Sequence, residues 1–93
     1  MRITPDIVRY EFIGTKAKVT RSRHEDYAGI QGKVVGESRN TFTIQNGEAR
    51  RTVLKESAIF HFTFSDRTVV EISGKLLVGR PEDRLKKHIR RLW

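Results

Sequence analysis

Polar and apolar side chains alternate along most of this chain, in short runs broken by Gly, Asn, Asp and Ser. That period belongs to half-buried strands rather than helices. Lys16-Ala17-Lys18-Val19-Thr20-Arg21 alternates basic and small or apolar residues, predicting a strand with a basic outer face. Arg21 and Arg23 lead into His24-Glu25-Asp26-Tyr27-Ala28, read as a flexible connection. Two extended segments, Ile30–Gly36 and Thr41–Ile44, flank a polar Glu37-Ser38-Arg39-Asn40 turn. Gly29, Gly32 and Gly36 predict sharp bending or close backbone approach on the first of them. Asn46-Gly47 is a strong hairpin signal, because both residues tolerate positive φ, and it predicts a strand over Ala49–Leu54. Lys55-Glu56-Ser57 interrupts the pattern. Phe60, Phe62 and Phe64 then recur at two-residue spacing and are expected to supply much of the core. After a turn at Ser65-Asp66-Arg67, a strand over Thr68–Ser73 places Val70 and Ile72 on one face, with Val69 and Glu71 on the other. Gly74 allows a bend before Lys75-Leu76-Leu77-Val78.

Helix signals mark both ends. Thr4-Pro5-Asp6 combines a capping residue, a first-turn proline and an acid, predicting a short helix from Pro5 to Ile13 that stops at Gly14. Arg80-Pro81-Glu82-Asp83 opens a second helix, with Leu85, Ile89 and Leu92 at helical spacing. The order helix, about six short strands, helix predicts a mainly β fold, a small antiparallel Sm-like or SH3-like barrel. The expected layout is a single domain over 1–93, with an N-terminal helical extension at 4–14, a β-barrel at 15–78 and a basic C-terminal helix at 80–93.

Composition narrows this picture. With 93 residues, 37% hydrophobic and 32% charged, the chain is too apolar for full disorder and too small for a large layered fold. It contains no cysteine, which excludes disulfides and thiolate metal sites and suits a reducing cytoplasm. The N-terminal stretch lacks the apolar run of a signal peptide or membrane span. Net charge is +8, and residues 80–93 carry six basic against two acidic side chains, half of the excess. A polyanionic partner, nucleic acid foremost, would release counterions on binding such a surface. A membrane surface fits less well, for want of an amphipathic helix rich in exposed Trp or Phe.

Catalytic constellations are missing from the pattern. His24, His61 and His88 are predicted in a loop, on an outward strand face and on a helix, not converging on one phosphate. No metal-ligand spacing occurs, Gly29-Ile30-Gln31-Gly32-Lys33 lacks the ending and helix of a phosphate loop, and no Gly-x-Ser-x-Gly is present. Arg39-Asn40 is different, since Arg can clamp a phosphate and Asn can read a base edge from an exposed corner. Asn40 could equally serve as a turn residue with an unusual backbone angle. The residues expected to face RNA are Lys16, Lys18, Arg21, Arg23, Lys33, Arg39, Asn40, Arg80, Arg84, Lys86, Lys87, Arg90 and Arg91.

Gly29-Ile30-Gln31-Gly32-Lys33-Val34-Val35-Gly36-Glu37-Ser38-Arg39-Asn40-Thr41, followed by Arg80-Pro81-Glu82-Asp83-Arg84-Leu85-Lys86-Lys87, resembles archaeal ribonuclease P protein component 1 over nearly the whole chain. The resemblance implies an Sm-like barrel in the ribonucleoprotein that removes the 5′ leader from precursor tRNA. It implies that the RNA subunit holds the catalytic magnesium ions, that this chain alone is non-catalytic and binds no cofactor, and that it acts as an RNA chaperone or stabiliser. The implied partners are ribonuclease P RNA, precursor tRNA and a small zinc-ribbon protein subunit. For that last contact Ile7, Val8, Phe12, Leu85, Ile89 and Leu92 are candidates, with packing on their own barrel as the alternative. Two other readings compete. Lys18-Val19 and Gly29 to Val35 loosely resemble KOW-type modules of ribosome- or translation-associated proteins, and a stand-alone ribonuclease would use His24 or His61.

Overall fold

The structure is a computed structural model, and it describes Ile7 and residues 11–84. Six strands form one antiparallel sheet: β1 (Lys16–Ser22), β2 (Gln31–Glu37), β3 (Thr41–Asn46), β4 (Ala49–Leu54), β5 (Ala58–Thr63) and β6 (Val69–Ser73), in the order β4-β3-β2-β1-β5-β6. The mainly β, barrel-like expectation is met. One turn of helix, α1 (Pro81–Arg84), follows. The remainder of the expected C-terminal helix, and with it Leu85, Lys86, Lys87, His88, Ile89, Arg90, Arg91 and Leu92, lies outside the described residues, as does Val8.

Alternation fixes the inner face. Ala17, Val19, Val34, Phe42, Ile44, Val53, Phe60, Phe62, Val70 and Ile72 are buried, while their chain neighbours point outward. Phe62 is the hub: Phe12 stacks on it at 4.2 Å, Phe60 at 5.6 Å, and Phe42 meets it edge-on at 5.9 Å. Such pairs add about 0.5–1.5 kcal/mol each beyond the area they bury.

Beyond the ladders, the two ends of the strand order approach through 3₁₀ turns at Lys55–Ser57 and Gly74–Leu77. Gly74 permits this contact, because a Cβ there would overlap the Lys55 carbonyl and touch the Phe60 ring. On β2, a Cβ at Gly32 would strike the Gln45 carbonyl, so close approach explains that glycine.

Two one-residue bulges shift the side-chain phase. On β1, Val19 faces Phe60 and Arg21 faces Ile59, leaving Thr20 as the extra residue. In an unbroken ladder over the same residues Arg21 would fall on the inner face; the bulge lets it join Lys16 and Lys18 outside. On β2, Val34 faces Ile44 and Gly36 faces Thr43, so Val35 is extra and Glu37 comes opposite buried Phe42. This second bulge turns a carboxylate inward.

Several local expectations are corrected. Glu11 and Phe12 are not helical; a turn closed by Thr15 N–H donating to the Phe12 carbonyl at 2.9 Å carries the chain into β1. The connection after Arg23 is a 3₁₀ turn at Glu25–Tyr27, whose Tyr27 packs against the core. The hairpin loop is Gly47-Glu48 rather than Asn46-Gly47, because Asn46 still pairs with Ala49 and Gly47 takes the positive φ of 61°. Among the described non-glycine residues only Arg67 has positive φ, so backbone strain does not account for Asn40.

Candidate nucleic-acid interface

Strand register assembles the basic residues. Read across the sheet, Arg50, Gln45, Lys33, Lys16, Thr63 and Val69 form one row of directly opposed neighbours on the outer face. In the adjoining row Lys18 faces Gln31 on one side and His61 on the other, and His61 faces Glu71. Lys16, Lys18, Lys33 and Arg50 are exposed. Among the described residues, neither Lys16, Lys18 nor Lys33 has an ion-pair partner. Like charges placed directly opposite destabilise a sheet, so Lys16 against Lys33 invites an external anion. These three lysines, with Gln31, Asn46, His61, Thr63 and exposed Val69, line a shallow groove of about 610 Å³. At its acidic margin, His61 Nε2 lies 2.8 Å from Glu71 Oε1.

The corner after β2 forms a second group. Ser38 N–H donates to the Thr41 carbonyl at 2.9 Å, and Thr41 N–H to Ser38 Oγ at 3.1 Å, which closes the turn and leaves Arg39 and Asn40 exposed. Beneath it sits a buried ionic cluster. Lys55 Nζ donates to Glu37 Oε2 at 2.6 Å and to the carbonyls of Ser38 at 2.8 Å and Gly79 at 3.0 Å. Arg84 NH1 donates to the same Glu37 oxygen at 2.5 Å and to the carbonyls of Leu77 and Gly79. The Lys55 and Arg84 side chains are 0% exposed and that of Glu37 3%. Both cations also approach aromatic rings, Lys55 that of Phe42 and Arg84 that of Phe12.

The expected RNA-facing residues therefore separate. Lys16, Lys18, Arg21 and Lys33 share the outer sheet face; Arg39 and Asn40 share the corner, with Asn40, Arg23 and His24 lining one cleft beside Glu56. Arg80 is exposed next to the corner, since Gly79 N–H donates to the Arg39 carbonyl at 2.7 Å. Arg84 is corrected to an interior role, its guanidinium being consumed by Glu37 and two carbonyls. Phe12 and Ile7 are likewise corrected from partner docking to the chain's own core, at 0% and 5% exposure. Arg50 and Arg51 were missed. Both are exposed, and placing Arg50 on the outer phase of the predicted Ala49–Leu54 strand would have found it.

The His24 ring lies tilted against Tyr27, 5.0 Å between centroids, while His61 belongs to the groove, so the two line different depressions. Among the described residues no three His, Cys, Asp or Glu cluster as metal ligands, and no helix is long and apolar enough to cross a membrane.

Comparison with known proteins gives a consistent result. The family model for ribonuclease P/MRP, subunit p29, matches residues 5–87. Ribonuclease P protein component 1 of Methanothermobacter thermautotrophicus is 47% identical, over 96% of this chain and 98% of its own length. That of Methanocaldococcus jannaschii is 43% identical, over 98% and 97%. The solved structure of Mth11, a homologue of human RNase P protein Rpp29, has a TM-score of 0.62 at 45% identity, covering 81% of this chain and 97% of that one. These matches do not favour the KOW-type alternative. A basic-faced barrel, the family match over most of its length and near full-length relatives of one name lead to one conclusion: the chain belongs to the ribonuclease P/MRP subunit p29 family and is a ribonuclease P protein subunit of the archaeal component 1 type.

Proposed function

We propose that this subunit binds ribonuclease P RNA through the outer face of β1, β2 and β4 and through the Arg39–Asn40 corner, and stabilises the RNA that removes the 5′ leader from precursor tRNA. The observation that carries the reading is the opposition of Lys16 and Lys33 on one exposed face, with Lys18 and Arg50 beside them. Cations held this close by a rigid sheet gain when phosphates release their counterions on contact. The basic side chains position a backbone, and Asn40 and Gln31 add neutral hydrogen-bonding groups beside them. The magnesium ions and the chemistry belong to the RNA subunit in this reading, and this chain on its own is non-catalytic. A small zinc-ribbon protein is the expected protein partner.

The test is reconstitution. Adding the chain with its zinc-ribbon partner to ribonuclease P RNA should raise precursor tRNA cleavage at limiting magnesium. An absence of stimulation, together with tight binding to ribosomal RNA, would overturn the assignment. Incubating the chain alone with precursor tRNA and magnesium should give no cleavage; cleavage abolished by substituting His24 or His61 would reverse the non-catalytic reading.

A further inference from the structure

We propose that Glu37, Lys55 and Arg84 form a buried latch that holds the Arg39–Asn40 corner in its RNA-contacting geometry, so that Arg84, far along the chain, acts as a positioning residue for that contact. The proposal rests on the reading of the corner as an RNA contact and specifies what controls it.

The hydrogen bonds trace the coupling. The Lys55 ammonium binds the backbone carbonyls of Ser38 and Arg39 and the Glu37 carboxylate, so it grips three consecutive residues of the corner. Lys55 N–H donates to the Asn40 carbonyl at 2.9 Å, fixing the fourth. Gly79 closes the loop: its N–H donates to the Arg39 carbonyl, and its own carbonyl accepts from both Lys55 and Arg84. Arg84 thereby ties the segment after β6 to the carboxylate that Lys55 holds. Glu37 loses a partner if either cation leaves, and each cation loses one if Glu37 does, which is costly for buried charges. The corner and the Arg80–Arg84 segment thus share one set of charge-assisted bonds. Arg80, exposed beside Arg39, is carried by the same seat.

The test uses Arg84→Met in the full chain, which leaves Glu37 and Lys55 facing each other as an ion pair. Amide hydrogen exchange should show lost protection at Gly79 and Lys55 relative to the β3–β4 ladder. Binding to ribonuclease P RNA should weaken, with the salt slope reduced by about one phosphate contact. The double variant with Arg39→Ala should bind no worse than Arg39→Ala alone, because both remove the same contact. If Arg84→Met fails to fold by thermal melting, Arg84→Lys keeps the charge but loses the fork, and should give the same pattern. Unchanged protection at Gly79 and Lys55, or RNA losses that add independently, would overturn the latch. A different result, Arg39→Ala leaving RNA affinity and salt slope unaltered, would sink the corner as an RNA contact, while the exchange data would still report whether the latch holds it.

Discussion

Lys55 Nζ lies 4.7 Å from the centre of the Phe42 ring while bonded to the Glu37 carboxylate, so an ammonium sits inside the barrel against an aromatic face. A cation there is tolerable only because its donors are satisfied by the carboxylate and several carbonyls. Lys55→Met should therefore destabilise the chain by about 3–5 kcal/mol, since it leaves Glu37 short of a partner in a buried site. Urea unfolding of the two proteins measures this difference. A loss below about 1 kcal/mol would place Lys55 among surface ion pairs.

Phe12 decides between core packing and docking. Its ring is fully buried and stacked on Phe62, so Phe12→Ala should cost about 3–5 kcal/mol in the isolated chain. Were Phe12 reserved for a protein partner, the free chain would melt unchanged and only complex formation would suffer.

Lys33→Glu separates stability from binding. The new carboxylate would face Lys16 and convert a repulsive pair into an attractive one, adding about 0.2–1 kcal/mol to the sheet. RNA affinity should fall, with a shallower salt dependence. Thermal melts and RNA titrations at several salt concentrations should move in opposite directions; joint loss would point to a folding role for Lys33.

Gly74→Ala should destabilise the chain by about 1–3 kcal/mol, by driving a methyl into the Lys55 carbonyl and the Phe60 ring. Because Gly74 does not have positive φ, the effect is steric, and a denaturation midpoint reads it directly.

The strands and their inner face were legible because alternation needs only local sequence: Phe60, Phe62 and Val70 face inward as their spacing requires. Lys16 and Lys18 were legible as outer residues for the same reason. The buried cluster was not. Glu37 reads as a turn acid, Lys55 as a strand breaker and Arg84 as one of many cations on a basic helix, and nothing local joins positions 37, 55 and 84. Their meeting depends on the bulge at Val35 and on the contact between the 3₁₀ turns, both set by tertiary pairing. Arg50 was within reach of strand phase alone, but its neighbours in the row were not, since they come from register across β3 and β2.

The two bulges carry a consequence for how this chain can vary. Compared with an unbroken ladder over the same residues, the bulge at Thr20 keeps Arg21 outside and the one at Val35 keeps Glu37 inside. Charge placement is thus written in backbone register as much as in residue type. Deleting Thr20 or Val35, the extra residues, would leave a regular ladder with Arg21 still outside and Glu37 still inside, whereas a length change elsewhere in β1 or β2 that no bulge absorbs would reverse every later side chain.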